Sequence, residues 1–471
     1  MITITDKQFR ALRTVFRRTL NVSPRGHGPP LEFRSGPDGL CIRARNEQTV
    51  IEYRSEGPIA SNHVSLPFSV LTECEPGKDE PLTFEMNPDG RVTVRWMDGR
   101  IPRKRDYDAE SIEQPAEFPS EPRDLSANEP RLLAALRDAV ETTDRDSLRH
   151  AMNCIQLDGQ RSRIVATDGR QLLVQTGLQF PWDDCVLVPG NQFFKCRDLP
   201  RNCSIQVGRT DEFVMIRVGP WTIHLAIDAE SRFPEVDALI PDGNQAAATM
   251  SLSDSDADFL LKNIKRLPGR NDSNEAVTID LNGSVIVRAK GDDQEHPTDL
   301  LLASSRRSGE PIRCSSDRGY LSRAMSLGFR EVSFIGSEAP LLCQDQHRRF
   351  VWAVLTTDSI ISADPRAILI ESPVTDPAKH PLNHKRTENH KPTERTRRSM
   401  PTSNPSGNGQ PTEEDSSSLS LIEQSESLKQ SLQQALTQTR ELIAALKRQK
   451  KQAQLVQSTL NSLRQLQSVD V

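Results

Sequence analysis

Two dipeptides, Phe118-Pro119 in "AEFPSEP" and Phe233-Pro234 in "RFPEVDALIP", stand about 115 residues apart, a comfortable length for one domain. Each closes the same series of segments. The first stretch starts with a short strand at residues 2–5 and a helix over 6–20, capped by Asp6, with Phe9, Leu12, Phe16 and Leu20 at helical spacing. Alternating strands "LEFRS", "LCIRAR", "VIEYRS", "LTFEM" and "VTVRW" follow, parted by turns such as "GPDG" and "NPDG" and by one short helix, "PFSVLTECE". The second stretch begins again with the helix "EPRLLAALRDAV", capped by Asn128 with Pro130 in its first turn. Strands "NCIQLDG", "SRIVATDG" and "QLLVQTG", a short helix in "PGNQFFKCRDLP", and strands "SIQVG", "VMIRVG" and "WTIHLAI" complete it. A third round runs through the helices "SDADFLLKNIKRL" and "DRGYLSRAMSLG" to a last strand "FVWAVL". One α+β unit, helices packed on antiparallel sheets, is therefore expected three times: residues 1–124, 125–245 and 246–371.

Beyond that the composition shifts. Residues 372–418, "PVTDPAKHPLNHKRTENHKPTERTRRSMPTSNPSGNGQPTEED" at their heart, hold almost no apolar side chains and read as a disordered linker. Over 419–468, Leu421, Leu428, Leu432, Ala435, Leu442, Leu446, Ala453, Val456, Leu460 and Leu463 recur at alternating three- and four-residue steps. Polar Ser425, Thr439 and Gln449 interrupt that seam, so the segment reads as a coiled coil or as a lone amphipathic helix that docks on a partner. The tail also explains why a chain of 471 residues is only 35% hydrophobic.

Several function classes fall away. A net charge of −5 excludes a uniformly basic nucleic-acid coat, so any phosphate contact must come from a local surface. The first helix offers one, with Arg10, Arg13 and Arg17 on a face of their own; the alternative is an ordinary solvated charged face. The eight cysteines are scattered, with no C-x-x-C and no Cys/His cluster at metal-ligand spacing, which predicts reduced, mostly buried thiols in a cytoplasmic protein that holds neither metal nor cofactor. No signal peptide and no apolar run of roughly 20 residues stands out. Ser147, His150 and Asp168 can be drawn as a catalytic triad, but no nucleophile elbow or phosphate loop accompanies them. Asp168 is expected to cap its own turn, and no enzymatic activity is expected.

Within the second stretch, Arg149, Asn153 and the turn Ala166-Thr167-Asp168-Gly169-Arg170 resemble the middle domain of the bacterial sliding clamp, the β subunit of DNA polymerase III. "RFPEVDALIP" resembles that family's closing F-P-D-Y segment, and "AEFPSEP" a weaker copy of it. The resemblance covers the first 372 residues and is most specific in the middle stretch. It implies three clamp domains, each with two helices facing the inside of a ring and sheets outside. Two chains would close head to tail around duplex DNA as a homodimer. Phosphate-attracting residues would be Arg10, Arg13, Arg17 and Arg18 from the first helix and Lys262, Lys265 and Arg266 from the third stretch. The second helix is poorer, with Arg131 and Arg137 offset by Glu129, Asp138 and Glu141, so an uneven inner charge is expected. Arg25 in "SPRGHG", Arg149 and His150 match the family's DNA-contacting positions, although His150 and Ala151 replace its paired aromatics.

The same resemblance implies a peptide-docking pocket between the second and third domains, formed by Met152, Thr167, Gly169, Arg170, Leu172, Pro234 and Leu239, with Val354 and Leu355 from the last strand. Apolar walls and a tight glycine turn suit that role. The sequence departs from the family at Arg170, where a histidine is usual, at Ala238, where an arginine is, and at Leu355-Thr356-Thr357-Asp358-Ser359, where M-P-M-R-L ends the family's chains. Different peptides, partial closure by the chain's own extension, or loss of the pocket are the three consequences open. The implied function is a non-catalytic processivity factor in DNA replication, loaded by a clamp loader, that tethers DNA polymerase or repair factors. A clamp-fold scaffold that engages partners through its C-terminal helix is the alternative.

Overall fold

The computed structural model describes residues 1–23, 26–57, 59–109, 118–144, 151–269 and 274–373. Apart from its first two residues the expected linker lies outside these, as does the whole of the expected coiled coil. All described residues belong to one compact unit, Met1–Pro381.

The first stretch carries β1 (Ile2–Ile4), α1 (Asp6–Thr19), β2 (Leu31–Gly36), β3 (Gly39–Arg45), β4 (Thr49–Ser55) and β5 (Asn62–Leu66). It continues with α2 (Val70–Glu73), β6 (Leu82–Met86), β7 (Arg91–Asp98) and β8 (Ile101–Asp108). Helix α1 is capped by Thr5, not by Asp6: the Gln8 amide donates to Thr5 Oγ1 and the Thr5 amide to Gln8 Oε1, a reciprocal box that leaves Asp6 in the first turn against the helix dipole.

In the second stretch β9 (Leu125–Asn128) leads into α3 (Arg131–Thr142). Asn128 does not cap that helix; it is the last strand residue, and its side chain both donates to and accepts from the backbone of Gln179. There follow β10 (Cys154–Asp158), β11 (Arg163–Thr167), β12 (Gln171–Thr176), β13 (Cys185–Pro189), a single 3-10 turn at Gln192–Lys195, β14 (Ile205–Arg209), β15 (Phe213–Val218) and β16 (Trp221–Ala226). The second helix expected here is only that turn, because Pro189-Gly190 and Pro200 leave it no room to propagate.

The third stretch holds β17 (Ala248–Ser251), α4 (Asp254–Asn263), β18 (Ala276–Asp280), β19 (Ile286–Ala289), β20 (Thr298–Leu301), β21 (Arg306–Gly309) and β22 (Arg313–Asp317). After these come α5 (Arg318–Ser326), β23 (Glu331–Phe334), β24 (Leu341–Gln344), β25 (Arg348–Trp352) and β26 (Ile368–Glu371).

The strand orders repeat. In the first stretch one sheet runs β1-β6-β7-β8 and a second β5-β2-β3-β4; the next stretches give β9-β14-β15-β16 with β13-β10-β11-β12, and β17-β23-β24-β25 with β22-β18-β19-β20. The sheets do not stop at the stretch boundaries. Strand β4 pairs antiparallel with β16, and β12 with β25, so two continuous sheets of eight and nine strands join the stretches. At the first junction Tyr53 lies opposite Trp221 with their rings 4.7 Å apart, and one apolar core spans both stretches. At the second, Leu173 is buried in the core of the third stretch. One pairing departs from the expected antiparallel pattern: β26 adds to β20 in parallel.

On the other side of these sheets the helices stand in a row. Helix α1 touches α2 and the 3-10 turn Gln192–Lys195, that turn touches α3, and α5 touches α4. Arg323 of α5 completes the row by pairing with Glu141 of α3 and donating to the Asp138 carbonyl.

Candidate nucleic-acid interface and docking site

Helix α1 buries Phe9, Leu12, Val15 and Phe16 against the sheets, which turns its arginines outward. Arg10 and Arg18 are exposed, and Arg13 and Arg17 half-buried. Arg10 lies 3.7 Å from Asp6 and Arg13 3.3 Å from Glu75, while Arg17 has no ion-pair partner among the described residues. Such exposed pairs contribute little and are screened by salt, so these cations can exchange a carboxylate for a phosphate. Lys262, Lys265 and Arg266 are exposed around the end of α4, also without ion-pair partners among the described residues. Arg25, Arg149 and His150 lie outside the described residues.

The middle of the row differs from the sequence expectation. Arg131 donates to the Gly177 carbonyl and Arg137 turns to Asp138 at 3.1 Å, so neither is free. Cations also come from the segment after the 3-10 turn: Arg197 and Arg201 line a cavity of about 560 Å³ together with Arg137, Arg323 and Lys195, the last paired with Glu141 at 3.5 Å. Arg197 and Arg201 are exposed. Their signal is present in "KCRDLPR", whose basic residues are hidden by its resemblance to an ordinary short helix.

At the second junction the chain turns sharply between β11 and β12. Gly169 sits at φ +88°, and a Cβ there would lie 3.2 Å from Met152 Sδ. Asp168 Oδ1 accepts the amides of Arg170 and Gln171, both at 2.8 Å, and Oδ2 accepts Gln171 Nε2 at 2.8 Å. Its carboxylate is thus spent on holding the turn. Thr167 Oγ1 donates to the Gln171 carbonyl and accepts the Gly169 amide. Leu172 joins Val165, Val174, Val236, Leu342 and Val351 in a small apolar cluster across the junction, with Phe233 and Ile240 against its edge.

The expected pocket residues are only partly gathered. Met152, Thr167, Gly169, Arg170 and Leu172 surround the turn, and the Ala353 amide donates to the Arg170 carbonyl at 2.9 Å. Strand β25, expected to carry Val354 and Leu355, ends at Trp352, so neither belongs to it. Val354 packs on the core of the third stretch, and the Leu355 amide donates to the Ser315 carbonyl of β22, because the chain has already left the β12 ladder there. Pro234 is half-buried, and Leu239 is 61% exposed beside the cluster. Arg170 reaches toward Asn274 at 3.5 Å, away from the apolar cluster.

A positioning group escaped the sequence reading. Arg163 donates to Asp158 at 2.9 Å and, through both terminal nitrogens, to Asp237 at 2.6 and 3.0 Å. The Arg163 guanidinium holds the Asp237 carboxyl below its usual range and pins the closing segment over the cluster.

Several bacterial sliding clamps of solved structure are similar to this chain. The chain superposes on a DNA polymerase sliding clamp from Pseudomonas aeruginosa with a TM-score of 0.62 at 14% identity, covering 75% of this chain and 99% of that one. A sliding clamp from Bacillus subtilis gives 0.62 at 15%, covering 75% and 98%, and a DNA polymerase III β subunit from Thermotoga maritima 0.61 at 12%, covering 75% and 99%. This chain has the sliding-clamp fold. No family model matches the sequence, and no curated protein does either.

The sliding-clamp fold here carries an addition past Leu355. Ser359 accepts from Ser315 of β22, the Ile361 amide donates to Thr278 of β18, and Arg288 of β19 donates to the Ile361 carbonyl. The strap thus crosses its sheet strand by strand, and β26 then runs along the far edge. It leads away from the Gly169 turn rather than over it. Ser372 anchors its end, donating to Asp256 Oδ1 at 2.6 Å and accepting the Ala303 amide at 2.9 Å.

Proposed function

We propose that this chain is a divergent member of the bacterial DNA polymerase III β subunit family, a non-catalytic sliding clamp that encircles duplex DNA and tethers DNA polymerase or repair factors. The observation that carries the reading is the row of helices with its cations: Arg10, Arg13, Arg17 and Arg18 at one end, Arg197 and Arg201 in the middle, Lys262, Lys265 and Arg266 at the other. Cations spaced along one row of elements suit a surface that holds phosphates and slides. Arg25, Arg149 and His150 would add to it. Three domains over residues 1–124, 125–245 and 246–371 make half of a six-domain ring, so a homodimer, opened by a clamp loader, would close it.

Partner peptides would dock at the Gly169 turn, which Thr167 braces, with Met152, Leu172, Pro234 and Leu239 as apolar walls and Arg170 selecting acidic or C-terminal groups. The test is retention on nicked circular plasmid against the same plasmid linearised, with polymerase processivity on primed circular DNA as second readout. A ring stays on the circle and runs off the linear form. Equal loss from both sinks the reading and favours a clamp-fold scaffold that acts through residues 419–468.

A further inference from the structure

The two junctions inside the chain follow one rule. The last strand of one sheet type in each stretch (β4, β12) pairs antiparallel with the last strand of the other type in the next (β16, β25). Applied once more, the rule leaves two strands over: β8 in the first stretch and β20 in the third. Strand β8 has a free edge among the described residues, whereas that of β20 is taken by the chain's own β26.

Strand β26 is not built as a cap. Edge strands that must stay single carry charges, bulges or proline, but Ile368, Leu369 and Ile370 are 57%, 58% and 42% exposed. Because β26 runs parallel to β20, the edge it presents keeps the direction of β20, and an antiparallel partner fits it as at both internal junctions. The amides of Ile368 and Ser372 donate inward, to the carbonyls of Pro297 and Leu301. By the two-residue period those of Leu369 and Glu371 face outward. On the other side, β8 exposes Ile101, at 55%, and Lys104. Lys104 and Glu371 have no ion-pair partner among the described residues, and their charges are complementary. Pro102 offers no N–H, which leaves residues 103–108, enough for a four-residue strand.

We infer that β26 is the seam between copies: the edge of Ile368–Glu371 in one chain pairs with that of Ile101–Asp108 in a second, so the extension displaces the closing edge one strand outward from β20. The inference rests on the ring reading above. Sedimentation of the full chain at micromolar concentration tests it. Leu369→Pro removes an outward amide and keeps the inward ones, so the strap stays in place. The wild type is expected to be a dimer, and Leu369→Pro to dimerise at least tenfold more weakly. Lys104→Glu should weaken it too, with partial recovery in the double variant Lys104→Glu, Glu371→Lys.

Unchanged dimerisation of Leu369→Pro overturns the seam. So does a monomeric wild type, and one that dimerises only when Ile370→Pro strips an inward donor makes β26 a cap on β20. Plasmid retention of the same samples separates the two readings. A Leu369→Pro dimer still held on circles removes the seam and keeps the ring; a wild-type dimer that the variant splits, but that slides off circles, keeps the seam and removes the ring on DNA.

Discussion

Gly169 holds its turn by backbone conformation as much as by space. At φ +88° an L side chain is strained, and Met152 Sδ stands where the added carbon would press. Gly169→Ala is expected to cost about 1–2 kcal/mol, read by urea denaturation of the full chain; adding Met152→Ala should recover the steric share but not the backbone share. A different residue is expected to weaken the fold in mild acid. His224 of β16 faces Glu52, Arg43, Arg217 and Glu121, and burial pushes its imidazole down to about 4 from an ordinary 6.5. The unfolded chain therefore takes up a proton near pH 6.5 that the folded chain refuses until about pH 4. Stability is full above pH 6.5 and falls as pH drops through that window, by on the order of 3 kcal/mol. In His224→Leu the urea midpoint should lose most of this fall between pH 7 and 4.5; an equal fall in both proteins would assign it elsewhere. The turn itself was legible from "ATDGR", down to Asp168 as its cap. Neither Arg163 nor His224 was, since their significance depends on partners 74 residues and a whole stretch away.

At the scale of elements, the strap shows how a segment with little core of its own is held. Ser372 is buried, and it gives Asp256 one of the three hydrogen bonds that its carboxylate accepts, the others coming from Ser304 and Ser305. Ser372→Ala leaves Asp256 Oδ1 and the Ala303 amide short of a partner, a local cost of about 1–3 kcal/mol. Hydrogen exchange at the amides of Ile368 and Ser372 should quicken, while exchange in α1 stays unchanged. Beneath the strap, Arg288 is buried between Asp299 and Asp280 and touches the Ile361 carbonyl. Arg288→Ala strands the Asp299 carboxylate and is expected to cost about 3–5 kcal/mol, seen as a lower urea midpoint; a loss under 1 kcal/mol would mean that water reaches the site. Periodicity had marked α1, α3, α4, α5 and most strands. It missed β5, β8, β9, β13, β17, β21, β22 and β26, which are short, polar or continuous with turns, and which are strands because a neighbour supplies the ladder.

Across the whole molecule, if the cations along the helix row hold DNA as proposed, affinity should depend on number of charges rather than on base sequence. Arg17→Glu combined with Lys265→Glu is expected to weaken retention on every duplex alike. Each phosphate that the variant no longer neutralises should flatten the slope of log affinity against log salt by about 0.9; a variant that discriminates between sequences would contradict a sliding surface. By itself the sequence determined the recurrent unit, the basic face of α1 and the glycine turn, because local periodicity and backbone preference are written residue by residue. Only the tertiary structure decided that the sheets run on through both junctions, that Arg197 and Arg201 stand by the middle of the helix row, and that Ile368–Glu371 bind the edge of β20. Each of these depends on which edge or face meets another far along the chain. Hydrogen-bonding capacity at a strand edge looks the same in sequence whether it is filled from within the chain or left open to a second copy.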